Sequence, residues 1–188
     1  LSLVVNQTLE QAKPLPNLDY KLMAGNSLIE TINGQPILTS KAREILGHAA
    51  KPLQYEMFAP DEVQSAAEKL TTLRADYFHA GPERRRDLAA EIQHQERRVI
   101  EAGLNDLLTQ VRGRIKVIEN KYREQQPGAW SQRDANKYRD LLAHEARIEA
   151  IQRDLWRDEA TLPFFLYGLH FNDVFAWGGF DIVVANPP

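Results

Sequence analysis

Between residues 61 and 160 the chain has two prolines, Pro82 and Pro127, each beside a glycine, Gly81 and Gly128. Proline removes a backbone donor and clashes with the preceding turn, so a long stretch almost free of it can stay helical, and each Gly/Pro pair breaks it. The spacing predicts three helical blocks, about 60–79, 82–126 and 129–160. Pro82 sits where a first-turn proline is tolerated. At 1.5 Å per residue the middle block is a rod of roughly 65–70 Å. Its second half carries Leu104, Leu108, Val111, Ile115, Ile118 and Tyr122, alternating intervals of four and three, which is a heptad seam. The third block answers with Tyr138, Leu141, Ile148 and Leu155. Joined through Gln125-Gln126-Pro127-Gly128, the two seams fold back as an antiparallel helical hairpin. Val63, Ala67, Leu70, Leu73 and Tyr77 give the first block its own stripe.

The same stretch holds 37 of the 49 charged residues. Ten cations on the middle block, among them Arg84, Arg85 and Arg86, face eight carboxylates, the composition of a solvated coiled-coil face. Arg84–Arg86 is the exception: positive charge at a helix start is unfavourable, so it is the candidate contact with DNA phosphates. The net charge of −3 gives no general support for nucleic-acid binding. The absence of Cys removes disulfide frameworks and thiol nucleophiles and fits a reducing cytoplasm. No apolar run reaches the ~18 residues of a membrane span, so no membrane partner is expected. His144-Glu145 opens like a zinc-protease signature, but Ile148 stands where the second His is required. The sequon Asn6-Gln7-Thr8 is a coincidence in such a chain.

The flanks have another texture. Tyr20–Ala24 reads as a short strand ending at Gly25-Asn26. Asn33-Gly34 is a two-residue hairpin turn between 29–32 and 35–38. Residues 163–180 hold five of the seven Phe. Phe180-Asp181-Ile182-Val183-Val184-Ala185 is apolar and β-branched, as in a strand buried on both faces of a parallel sheet. It runs into Asn186-Pro187-Pro188. Two prolines stiffen the loop and remove donors, leaving an amide oxygen and bare carbonyls at a strand end, where open α/β sheets bind ligands. Such a site accepts both hydrogens of an exocyclic amino group and leaves its nitrogen lone pair nucleophilic.

These residues resemble the catalytic motif of amino-group DNA methyltransferases. The wider run Phe164-Phe165-Leu166 … Leu169-His170-Phe171 … Val174-Phe175 … Gly178-Gly179-Phe180-Asp181 is similar to type II restriction–modification enzymes of the Eco57I kind. Pro16–Lys21 with Gly25-Asn26-Ser27-Leu28 is similar to the same group's third-strand segment. The resemblance covers about sixty residues at the two ends. It implies an adenine-N6-specific enzyme using S-adenosylmethionine, with Asn186, Pro187 and Pro188 in the catalytic loop and Asn26 on the cofactor's adenine. An aromatic residue after Pro188 would hold the flipped base.

Asn26 and Asn186 stand 160 positions apart, which implies a helical insertion between the third and fourth strands of a Rossmann-like sheet. The expected fold is mainly α: segments 1–58 and 161–188 are partial methyltransferase segments, 59–160 is the insertion, and the sheet is incomplete in this chain. The glycine-rich cofactor loop does not occur in residues 1–20, so the chain reads as the middle of a larger enzyme and is expected to be inactive alone. Expected partners are DNA and other domains of the same polypeptide. The alternative is a non-catalytic coiled-coil protein-interaction module; a third reading moves the amino-group chemistry to RNA or a glutamine side chain.

Overall fold

The computed structural model describes residues 31–38, 40–46, 61–123, 130–157, 166–171, 174 and 178–184. The strand expected at 20–24, Asn26 and the Asn186-Pro187-Pro188 loop lie outside the described residues.

The Asn33-Gly34 hairpin forms. Strand β1 (Thr31–Ile32) pairs antiparallel with β2 (Gln35–Pro36), Thr31 opposite Pro36 and Ile32 opposite Gln35. Asn33 and Gly34 have φ of 49° and 77°, the two left-handed residues that let a two-residue turn match the strand twist. Helix α1 (Ser40–Ile45), which the sequence reading did not anticipate, follows.

The three expected blocks are α2 (Asp61–His79), α3 (Pro82–Tyr122) and α4 (Gln132–Leu155). Gly81 caps α3 in an extended conformation with Pro82 in its first turn. Ser131 caps α4, its hydroxyl accepting from the Asp134 amide at 3.2 Å. At 41 residues α3 is about 60 Å long, and it is the spine of the molecule. Helix α2 lies antiparallel on its first half: Gln95 Nε2 donates to the Ala66 carbonyl at 3.0 Å, and the Arg85 guanidinium lies 5.8 Å over the Tyr77 ring. Helix α4 lies antiparallel on its second half, with Gln152 donating to Asn105 at 2.7 Å and Tyr138 to Glu119 at 2.9 Å. Every seam residue from Leu104 to Tyr122 is buried, as are Leu141, Ile148 and Leu155. Aromatic packing joins the facing ends of α3 and α4: Trp130 lies flat on Tyr122 at 5.0 Å and meets Tyr138 edge-on at 4.8 Å.

The β-hairpin docks at the middle of α3. A Cβ at Gly103 would run into the Ile37 carbonyl, so this glycine is what lets the hairpin backbone touch the helix. Ile32, Ile37 and Leu38 are buried there.

The fold is thus mainly helical with a small two-stranded antiparallel sheet. The described part of the anticipated buried strand, 180–184, belongs to no ladder, and its large apolar side chains are open: Ile182 is 81%, Val183 74% and Val184 91% exposed. A strand apolar on both faces needs neighbours on both edges and cover on both faces, and the described residues supply neither.

Candidate functional site

Arg84, Arg85 and Arg86 do not form one cationic patch. Arg84 turns back along its own helix to Glu91 at 3.4 Å and Asp87 at 4.0 Å. Arg85 is half-buried over Tyr77. Arg86 stays exposed. The charge at this helix start therefore has carboxylate and ring partners inside the chain. His144, the sequence's near-match to a metal ligand, lies buried in the α4 seam, and the Ile32 carbonyl accepts a hydrogen bond from its ring. Burial, with Arg114 and Arg147 nearby, holds its pKa below the ordinary histidine value. Among the described residues no group of three or more His, Asp or Glu is placed to hold a metal ion. No described helix is long and apolar enough to cross a membrane.

The buried charges gather elsewhere. Gln95, Glu96 and Arg97 are three consecutive buried polar residues in α3. Arg74 of α2 donates to Glu96 Oε1 at 2.7 Å, with the Arg74 side chain 12% exposed and that of Glu96 2%. The other carboxylate oxygen faces His170 Nε2 at 3.9 Å, and the His170 side chain is also 2% exposed. His170 ends the short helix α5 (Tyr167–His170), and its Nδ1 lies 2.8 Å from the Leu166 carbonyl. Burial pushes the His170 pKa down; Glu96 and the Leu166 carbonyl oppose the shift, and Arg74 adds to it. A buried carboxylate is tolerated when it is paired and hydrogen-bonded, and Arg74 supplies that here. The cluster joins three parts of the chain that are far apart in sequence: α2, α3 and α5.

From α5 the contacts continue. The Phe171 and Phe180 rings meet edge-on at 5.3 Å, and the Gly179 amide donates to the Val174 carbonyl at 3.0 Å. Gly178 and Gly179 have φ of 105° and 101°, a conformation open to glycine and strained for other residues. The two glycines turn the chain from the aromatic segment into the apolar run 180–184.

Sequence reasoning missed Arg74, Glu96 and His170 as a group. The signal was there: Ile92 and Val99 define a stripe, and the helical period places 95 and 96 on it, so polar residues fall where the seam needs apolar ones.

A groove of about 610 Å³ lies beside α2 and α3, lined among others by Glu62, Lys69, His94, Arg98, Glu101 and Asn105. Trp156, at the end of α4, reaches it: its indole N–H donates to Glu101 at 3.1 Å and its ring leans on His94 at 5.5 Å. Two cations and two carboxylates give this groove no net charge with which to select an anion.

The arrangement offers a rigid spine, two helices on it, and a buried ionic junction holding the segment that leads to the apolar run. No protein-family model, no curated protein and no solved structure matches this chain.

Proposed function

We propose that the chain is a non-catalytic helical interaction module that presents the run 180–184 as a strand for a sheet belonging to another domain. The observation that carries this reading is the exposure of Ile182, Val183 and Val184 on a chain whose helices bury their own seams. An apolar β-branched run has little reason to persist in water, and it is stable when inserted between strands covered on both faces. The helical body needs no such help, because α3 buries its own stripes against α2 and α4. The test is thiol accessibility. The chain has no native Cys, so Ile182→Cys is a unique label site. It should react rapidly in the 188-residue chain and be protected at least tenfold in the intact parent polypeptide. Equal reactivity in both refutes the reading.

A second reading concerns what the sheet does. The sequence Phe180–Pro188 resembles the amino-group methyltransferase motif, which supports an adenine-specific, S-adenosylmethionine-dependent enzyme as the parent. In it Asn186 and the Pro187 carbonyl accept the target amino hydrogens, Asn26 meets the cofactor, and DNA is the substrate. In the parent, Asn186→Ala should abolish methyl transfer and leave cofactor binding nearly unchanged. Retained transfer excludes this chemistry.

A further inference from the structure

We infer that the outward face of α4 docks on duplex DNA, with Arg139, Arg147 and Arg153 on the phosphates and a strip of alanines turned into the major groove. This goes beyond the interaction-module reading and does not rest on it. At 3.6 residues per turn, Ala143, Ala146 and Ala150 share one strip of α4, opposite its buried seam of Leu141, His144, Ile148 and Leu155. Arg139 stands at the head of this strip. Arg147 and Arg153 stand on opposite sides of it, about 120° apart around the axis and about 9 Å apart along it. The three arginines are exposed, and none of them forms an ion pair among the described residues. The carboxylates of α4 do not balance them. Glu145 and Glu149 hold Arg112, Asp134 holds Lys121, and Asp154 lies 3.9 Å from Arg157. Asp140 falls at the edge of the face, beyond Arg147.

A cationic face with so little opposing charge attracts a polyanion, and its shape selects which one. A second copy of the chain would bring six guanidinium groups together with nothing between to neutralise them. A helix that lies in a lipid surface needs a broad apolar face, and the large apolar side chain here is Leu142, 41% exposed. A helix with its side chains is about 10–12 Å across, and the major groove of B-form DNA is about 12 Å wide. Alanines along the leading strip let the backbone approach closely. Arginines on both sides of the strip then reach the phosphate rows on both walls, where the guanidinium fork binds bidentately. The deep, narrow major groove of A-form RNA does not admit this arrangement. An acidic protein surface would be met by arginines in any order and does not call for small residues between them. This face also differs from Arg84–Arg86, where Arg84 turns to Glu91 and Asp87 and Arg85 covers the Tyr77 ring.

The test is fluorescence anisotropy of a short labelled DNA duplex of mixed sequence, titrated with the full 188-residue chain over a salt series. Binding should show a Kd on the order of 10–100 μM, and log K should fall against log salt with a slope of about −3, or 0.9 per phosphate contacted. Arg139→Gln/Arg147→Gln/Arg153→Gln should weaken binding by about tenfold or more and flatten the slope to near zero. Lys69→Gln/Lys116→Gln/Arg123→Gln removes the same charge from exposed positions elsewhere and should weaken binding by less than about threefold. Ala146→Phe leaves the charge unchanged and fills the strip, so it should weaken binding by about fivefold or more. Circular dichroism at 222 nm confirms the helix content of each variant. Four results overturn the inference: no binding at low salt; equal loss in the two triple variants, which means that net charge alone is sensed; undiminished affinity in Ala146→Phe; or competition by polyglutamate or duplex RNA as strong as that by unlabelled DNA.

Discussion

Gly103 and Gly113 lie in the same helix, ten positions apart, and the same substitution should move stability in opposite directions at the two. At Gly113 a Cβ meets nothing within 4 Å. Gly113→Ala then acts on the backbone alone, reducing unfolded-state entropy and raising helix propensity by about 0.5–1 kcal/mol. At roughly 2–4 °C per kcal/mol for a chain of this size, the melting midpoint should rise by about 1–4 °C. Gly103→Ala gains the same propensity but drives its methyl into the Ile37 carbonyl, with the carbonyl carbon 3.3 Å away. The obstacle is backbone and cannot swing aside as a side-chain tip can. The hairpin must move as a unit, opening burial at Ile32 and Ile37, which are 0% and 1% exposed. Full burial of an isoleucine is worth about 1.5–3 kcal/mol. Losing part of that at two residues outweighs the ~1 kcal/mol propensity gain and leaves a net loss of about 1–3 kcal/mol, in the range for overpacking. Urea and thermal melts followed by circular dichroism at 222 nm measure both variants. If Gly103→Ala stabilises as much as Gly113→Ala, the hairpin does not rest on α3 and the reasoning fails.

Ile148 is fully buried in the α3–α4 seam, so Ile148→Ala should cost about 3–4 kcal/mol, in the middle of the cavity range; a urea-derived loss under 1 kcal/mol would show that the seam is not closed. Arg74→Leu should cost about 3 kcal/mol by stranding the Glu96 carboxylate, and Arg74→Leu/Glu96→Leu should recover most of it, so additive losses in the double-mutant cycle would count against a buried pair. His144 and His170 are both held below the ordinary histidine pKa, chiefly by burial. The unfolded chain then binds more protons, and stability should be full above about pH 6.5 and fall as pH drops below it; a urea midpoint that is flat from pH 7.5 to 5.5 refutes this. The Lys121 ammonium and the Tyr122 hydroxyl hold Asp134 at about 2, against 3.8 ordinarily. Its contribution is complete above the ordinary value and disappears as pH falls through about 2, which carbon-13 NMR of the Asp134 carboxyl can follow.

The helices were legible because their signals are local and repeated. Two Gly-Pro breaks and a four-three seam each specify backbone over a few residues, and together they placed α2, α3 and α4 within a few residues of their ends. The Asn33-Gly34 turn was legible for the same reason: few residues other than Asn and Gly adopt left-handed φ at both turn positions. Helix α1 has six residues, too short a window for periodicity to show. The run 180–184 is a different case. Its composition states what surroundings it needs, and those surroundings are not among the described residues; a sequence shows a demand for burial without showing who meets it.

The two halves of α3 explain why the buried ionic junction sits where it does. Its second half is a regular seam, and its ion pairs, such as Arg112 with Glu145 at 2.7 Å and Glu149 at 2.8 Å, lie at the surface where solvent screens them. Such a half can hold α4 and little else, since its apolar positions are already filled. The first half has Gln95, Glu96 and Arg97 at or beside the seam, where apolar residues would give tighter burial. An interruption of that kind lowers stability unless each polar group finds a partner. Gln95 finds the Ala66 carbonyl, and Glu96 finds Arg74 and, from outside the helical blocks, His170. A leucine at position 96 would fit the stripe without needing a partner. The glutamate is tolerated because Arg74 pairs with it at 2.7 Å in a site where an unpaired carboxylate would be costly.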